Sequence, residues 1–462
     1  MTPDSPEDSS AGSSRRNRAI SHAVLTSLAS KVGTLILQFV SIPIAYRTLG
    51  PESFGLYSTI AVGVSTLILF QIGIGPALTH GLSKAISKND KLLEKQYFST
   101  SWFLLLALTA LGGLIAATIL LLVPLTSFLG SKYAGLEEQL LPGLWLGLAI
   151  VLLEFILSHA ERAREGFLEV HINNLFGTAG NILGALTIAI GIHFFPTIEF
   201  LILGVFGTRA LARLANSIHL FIQRPDLLPK LTYYQKPLAR EMLSDGFAFT
   251  VSQSITSIIE LNVCALIVAR FAGPIAVGHF NILMQIAALM TGLIIMFTTP
   301  TWPAIADALA RLDLTWIKRI IKRLWLLVSG LAIASLLGLT LLGPPILPLI
   351  YGKEFQPSWL LLLAFAVYFA ASSWGHTNNS ILVGLGLVKK AAAVALLETI
   401  LLLIPAALGM AFFDLPGLFF GMALAMLLVT TWIFPRMIHQ FLQKQSQEHN
   451  TPSMNPDLAT EP

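Results

Sequence analysis

The sequence predicts an all-α polytopic membrane protein of about twelve transmembrane helices in two six-helix lobes. Three observations carry this reading. The 462 residues are 55% apolar and only 12% charged, whereas a soluble chain carries about 25% charged residues. The mean hydropathy of +0.74 is too high for a surface that faces water. The basic residues fall almost entirely into alternate loops.

Apolar stretches long enough to cross about 30 Å of hydrocarbon run over residues 22–46, 57–81, 99–124, 139–160, 172–195, 198–221, 246–269, 276–301, 323–347, 358–383, 390–412 and 415–439. Two close pairs are separated by a proline-containing turn each, ending at Pro196 and Pro416, which makes each pair two helices. Of the 29 Lys and Arg, 22 lie in one set of alternating loops and 4 (Arg47, Lys132, Arg270, Lys353) in the other. The remaining 3, Lys31, Arg209 and Arg213, lie inside spans. By the positive-inside rule the richer set is cytoplasmic, so both termini are expected in the cytoplasm.

The polar ends, residues 1–18 and 441–462, read as disordered cytoplasmic tails. The arginines before the first span suggest a secretory signal, but the apolar stretch is long, contains Lys31 and has no convincing cleavage site. An uncleaved span is expected. Between them stand an N-lobe (19–222), a basic cytoplasmic linker (223–245) and a C-lobe (246–440). All loops are short, so none houses a soluble catalytic domain. A single cysteine, Cys264, excludes an internal disulfide and any multi-thiolate metal site. No metal-ligand spacing or phosphate-binding glycine loop is found, so no enzyme activity and no cofactor are expected. The pI near 9.1 reflects membrane topology rather than nucleic-acid binding.

The halves echo one another. Arg47-x-x-Gly50-Pro51-x-x-x-Gly55-x-Tyr57 returns as Arg270-x-x-Gly273-Pro274-x-x-x-Gly278-x-Phe280, at an offset of 223. Pro76-Ala77 returns as Pro303-Ala304, and Gly130 with Tyr133 as Gly352 with Phe355. Gly-Pro turns recur in many membrane proteins, yet an ordered series at near-constant offset marks a duplication. Two six-span halves share one orientation, so a pseudo-two-fold along the membrane normal is expected, with a cavity between lobes suited to alternating access.

The Arg47 motif, Gly73-Ile74-Gly75 and Leu349-Ile-Tyr-Gly352-Lys-Glu-Phe355 resemble the polysaccharide-exporter group, over roughly residues 20–440. This group comprises flippases for O-antigen and related lipid-linked oligosaccharides. Its superfamily also holds lipid II flippases and multidrug and toxin extruders. Where many members carry an aspartate before the second-span glycine, this chain has Gln71-Ile72-Gly73. The resemblance implies a flippase that moves an undecaprenyl-diphosphate oligosaccharide across the bacterial inner membrane for surface polysaccharide such as lipopolysaccharide O-antigen. Its implied partners are that lipid-linked oligosaccharide, the bilayer, a polysaccharide polymerase and glycosyltransferases. The alternative within the superfamily is an ion-coupled multidrug or small-molecule exporter.

Charges inside spans are costly and point to function. Arg209 and Arg213 share one helix face, being four residues apart, and Lys31 lies at a depth close to Arg213. Arginine's planar fork suits phosphate, so these three are candidates for holding a diphosphate. Pairing with Glu154 or snorkelling of Arg213 is the structural alternative. His376 stands opposite Glu154 in the repeat, and with Asn378 and Asn379 these residues either line a cavity or bond helices together. The resemblance suggests that Glu260 and Glu398 couple transport to Na⁺ or protons, with Thr430 or Thr431 as added oxygens. The other reading is two protonated or hydrogen-bonded buried acids.

Overall fold

A computed structural model describes residues 32–71, 73–249, 258–298 and 301–450. Helices dominate, and no strand occurs among the described residues. This is what lipid requires, because a helix satisfies its own backbone N–H and C=O groups. Among the described residues, eight helices are long and apolar enough to cross a membrane, including Val32–Ser65, Lys91–Leu122, Glu137–Gly166 and Trp359–Gly384. The chain is an all-α, multi-pass membrane protein. Many of its exposed residues are apolar, including Leu114, Leu121, Leu122 and Leu349, as suits a surface facing hydrocarbon.

By contact, the chain divides into two compact units, Met1–Ile282 with Pro345–Gln356, and Leu283–Pro344 with Pro357–Pro462.

The first unit contains α1 (Ile42–Ser65), α2 (Ile74–Ser87), α3 (Lys91–Leu122), α4 (Glu137–Gly166), α5 (Val170–Gly191), α6 (Thr208–Gln223), α7 (Lys236–Phe249) and α8 (Cys264–Ala272). It also holds the start of α9 (Pro274–Thr298). In α1 the turn expected between two spans appears at Gly50, whose φ of 79° and ψ of 167° leave the helical region. Pro51 follows and has no N–H to continue the ladder. Leu78, Leu82, Phe98, Ala160, Ala163, Leu220 and Met242 form a core that joins α2, α3, α4, α6 and α7. The basic stretch read as a linker is pinned to α3: Lys230 N donates to Ser99 Oγ at 3.3 Å and Gln235 N to Thr100 Oγ1 at 3.0 Å.

The second unit contains most of α9, α10 (Thr301–Ala310), α11 (Leu314–Leu337), the start of α12 (Gly343–Tyr351), α13 (Trp359–Gly384), α14 (Val388–Leu428) and α15 (Thr430–Asn450). Its core gathers Ile317, Ile321, Leu324, Ile381, Leu382, Ala391, Phe434 and Ile438. α14 doubles back at Phe413 and Asp414, the latter at φ 54°, where the sequence predicts a turn. Its two limbs meet at Gly409 and Gly417. A Cβ on either would lie 2.0 to 2.1 Å from the other's carbonyl oxygen, so only glycine permits this approach. α15 continues through Asn450, past residue 440 where the tail is expected to begin. Its Gln, Lys and Glu residues are good helix formers.

The backbone carries the duplication beyond the sequence echoes. Gly50 and Gly273 share left-handed φ values of 79° and 83°, and Gly130 and Gly352 share 97° and 103°. Asn89 and Leu312 match at 53° and 59°. The next residue in each case, Asp90 and Asp313, caps a helix by accepting from Leu93 N and Trp316 N, both at 2.9 Å. A single wide turn precedes the first repeat's motif at Leu37–Ser41 and the second's at Ile259–Val263.

Within the first unit these matched positions interlock. A Cβ at Gly352 would lie 3.1 Å from Arg47 Cγ, and one at Gly130 would lie 2.8 Å from Arg270 Nη1. Each arginine of the repeated motif therefore rests on the glycine of the other half. Arg47 Nη2 donates to the Leu349 carbonyl. The ring of Tyr46 packs edge-on against Phe54, Tyr351 and Phe355.

Candidate functional site

The site is built on α4 and α6 of the first unit. Glu154 sits mid-way along α4, on an apolar helix that buries its side chain to 3% exposure. A carboxylate buried this deeply needs partners. Arg209 supplies them in parallel, Nε to Oε1 at 2.7 Å and Nη2 to Oε2 at 2.8 Å. This fork geometry is the strongest form of the pair. Arg213, one turn along, donates from Nη1 to Glu154 Oε2 at 3.3 Å and from Nε to Glu161 Oε1 at 3.3 Å. Two guanidinium groups and two carboxylates thus form one cluster of zero formal charge. Lys31 lies outside the described residues.

Arg209 is held but not enclosed. Its side chain is 45% exposed, and its Nη1 makes no hydrogen bond among the described residues. The guanidinium carbon stands 5.0 Å from the Phe206 ring centroid, a cation–π distance. The arginine is therefore fixed on one edge and presents donors on the other.

A second charged network was missed from sequence. A span over 139–160 leaves Arg164 in the following basic loop, but α4 continues to Gly166. Arg164 is fully buried. Its Nε donates to Asn216 Oδ1 at 2.7 Å, Nη1 to Glu169 Oε2 at 2.9 Å, and Nη2 to His219 Nδ1 at 2.7 Å. Arg224 also binds Glu169, at 2.6 Å, and lies over the Phe167 ring at 3.8 Å. With every Arg164 nitrogen bonded, the residue ties α4 to α6 and offers nothing outward. Arg162 pairs with Glu165 at 3.0 Å.

In the second unit, Glu398 on α14 is 6% exposed and accepts from Thr430 Oγ1 at the start of α15. The chain breaks at Val429 between those helices, at φ −111° and ψ −84°, which puts the Thr430 hydroxyl within reach. Ser373 Oγ and Thr431 Oγ1 are buried without a partner among the described residues. Asn378 is spent on structure: its Oδ1 accepts from Trp325 Nε1 at 3.0 Å and its Nδ2 donates to the Trp374 carbonyl at 2.9 Å. His376 and Asn379, on the same helix, are half-buried. Glu260 belongs to the first unit, in the wide turn Ile259–Val263. No group of three or more His, Cys, Asp or Glu side chains suited to a metal occurs among the described residues.

Known proteins carry the same fold. The chain superposes on an inward-facing multidrug-resistance MATE transporter of the MOP superfamily with a TM-score of 0.71, at 17% identity, covering 91% of this chain and 99% of that one. A MOP superfamily transporter from Pyrococcus furiosus Vc1 (DSM3638) aligns at a TM-score of 0.59 and 16% identity, over 93% and 96% of the two chains. In sequence, a protein of Escherichia coli (strain K12), provisionally assigned as an O-antigen transporter, is 25% identical over 341 residues, 68% of this chain and 70% of that protein. The fold is that of a polytopic membrane protein, and the proteins it resembles are transporters rather than enzymes. The chain belongs to the polysaccharide biosynthesis protein family, whose model matches residues 22–309.

Proposed function

We propose that the protein is an alternating-access flippase for a lipid-linked, diphosphate-bearing oligosaccharide, acting in the bacterial inner membrane with both termini in the cytoplasm. The two repeats act as two six-helix lobes that open in turn to each side. The observation that carries this reading is Arg209: a guanidinium in an apolar helix, fixed on one edge by Glu154 and half-exposed on the other. Such a group recognises an anionic headgroup and holds it against hydrocarbon, where a bare diphosphate has no stable place. The polyprenyl tail stays in lipid while the protein shelters the sugars. The relative from Escherichia coli supports a glycan cargo. Polymerase and glycosyltransferase partners follow from the same pathway logic.

We propose that Glu398 in the second repeat couples transport to Na⁺ or protons, supported by its Thr430 bond and the unpartnered Thr431 hydroxyl next in sequence. Glu260, also in the second repeat, is the second acid of this coupling role. Export of cationic drugs is the weaker reading, because Glu154 and Glu161 are both spent on arginines. The experiment is glycan display in a bacterium whose own flippase is deleted. The intact protein should restore surface glycan; failure across several glycan types, with normal membrane levels, argues for the exporter.

A further inference from the structure

A cleft of about 880 Å³ opens in the second unit, between the first half of α11 and the second half of α15. Its floor is apolar: Ile321, Ile438 and Leu442 are buried and belong to the core that joins the two helices. Its edges are polar. α11 contributes Lys318 and Lys322, and α15 contributes His439 and Gln443, all four exposed. Trp325 also lines the cleft and is fixed in place. Its Nε1 donates to Asn378 Oδ1 at 3.0 Å, and its ring centroid lies 5.7 Å from that of Trp374.

The two lysines are four residues apart, so their side chains leave one helix face about 5–6 Å from each other. Neither forms an ion pair among the described residues. Like charges at this spacing repel, and an anion placed between them relieves the repulsion. Asp313 is engaged in capping α11, where it accepts from Trp316 N at 2.9 Å. Arg319, Arg323 and Lys444 add positive charge along the same two helices. Asp307 and Glu448 are the other acids close in sequence, and their side chains lie outside the described residues.

The cleft also sits where both helices change character. α11 turns from basic to apolar after Arg323, and α15 turns from apolar to polar after Leu442. A tryptophan at such a change marks the level of the lipid headgroups, and a basic pocket between spanning helices at that level suits an anionic headgroup. We infer that this cleft binds an anionic phospholipid of the bilayer, with its phosphate bridging Lys318 and Lys322. The headgroup hydroxyls meet Gln443 and His439, which are hydrogen-bonded to each other at 2.8 Å. The first carbons of the acyl chains lie on Trp325 and the apolar floor. A water-soluble anion gains nothing from that floor, and a zwitterionic lipid brings its own ammonium against the lysines. The lipid site stands whatever cargo the protein moves.

The test is native mass spectrometry of the purified full-length protein in detergent, titrated with dioleoyl-phosphatidylglycerol, dioleoyl-phosphatidylcholine or inorganic phosphate. Phosphatidylglycerol should form a discrete, saturable adduct, and the other two should bind far more weakly. Lys318→Ala combined with Lys322→Ala should weaken the adduct by about thirtyfold, roughly fivefold per lysine. Lys318→Arg with Lys322→Arg should retain it. Lys389→Ala with Lys390→Ala, at two exposed lysines that do not line the cleft, should leave it unchanged. Both cleft lysines are exposed, so the alanine pair should melt like the intact protein without lipid; should it fail to fold, the single variants and the arginine pair carry the same comparison. Equal binding of the two lipids, or an equal loss in the Lys389 and Lys390 variant, would reduce the effect to general surface charge and overturn the proposal. Inorganic phosphate binding as tightly as the lipid would make the cleft a site for a soluble anion and overturn it as well.

Discussion

Arg209 grips Glu154 through two parallel hydrogen bonds, at 2.7 and 2.8 Å, across the packed helices α4 and α6. The pair is asymmetric: the acid is buried, while the arginine keeps an open edge. A purely structural ion pair has no need of that edge. Arg209→Ala should therefore abolish surface glycan display while membrane levels stay normal. Arg209→Lys should restore it only in part, since an ammonium cannot hold the carboxylate with one edge and phosphate with the other.

Removing the acid has a different signature. Glu154→Ala strands Arg209 and Arg213 in an apolar setting. Breaking a buried pair costs about 3–5 kcal/mol, and the open edge of Arg209 reduces that figure. A lowered melting temperature in detergent should be seen, with a smaller drop for Glu154→Gln. Arg164→Ala should destabilise at least as strongly, because its bonds to Asn216, Glu169, Gln223 and His219 leave no exposed edge to relax into.

The reciprocal seats of Arg47 on Gly352 and Arg270 on Gly130 predict matched phenotypes. Gly130→Val and Gly352→Val each place a branched side chain at a left-handed φ and against an arginine. Each should cost more than the roughly 1–2 kcal/mol of the backbone strain alone. Thermal melts of both variants should fall together; a drop in one alone would show the two seats to be inequivalent.

Glu398 should govern ion dependence rather than folding. Glu398→Gln keeps the hydrogen bond from Thr430, so its melting temperature should stay near that of the intact protein. Substrate movement in vesicles should lose its response to an imposed Na⁺ or proton gradient. A response that persists in full would return Glu398 to a structural role.

Much of this was legible in the residues. Hydropathy and the alternation of basic loops gave the membrane class, because a span must be apolar whatever its tertiary partners. The repeat was visible because its turns need glycine, and Gly50, Gly130, Gly273 and Gly352 all take left-handed φ. Arg209 and Glu154 were legible as costly charges, but their pairing was only one of two open readings. Helical spacing relates residues on one helix, not those on two. Arg164 was invisible for a sharper reason. It lies past the apolar stretch, where a cation reads as a topology marker, and only the extension of α4 to Gly166 carries it inside. Its signal in hindsight was Glu169 close by, with Asn216 and His219 facing from α6. Lys31 falls outside the described residues.

The most direct measurement is movement of the cargo itself. The protein would be reconstituted into liposomes with a radiolabelled polyprenyl-diphosphate oligosaccharide, and the fraction accessible to an added glycosidase followed in time. Intact protein should bring the inner-leaflet pool within reach of the enzyme, and Arg209→Ala should leave it protected. Equal accessibility with intact protein, Arg209→Ala and protein-free liposomes would contradict the account.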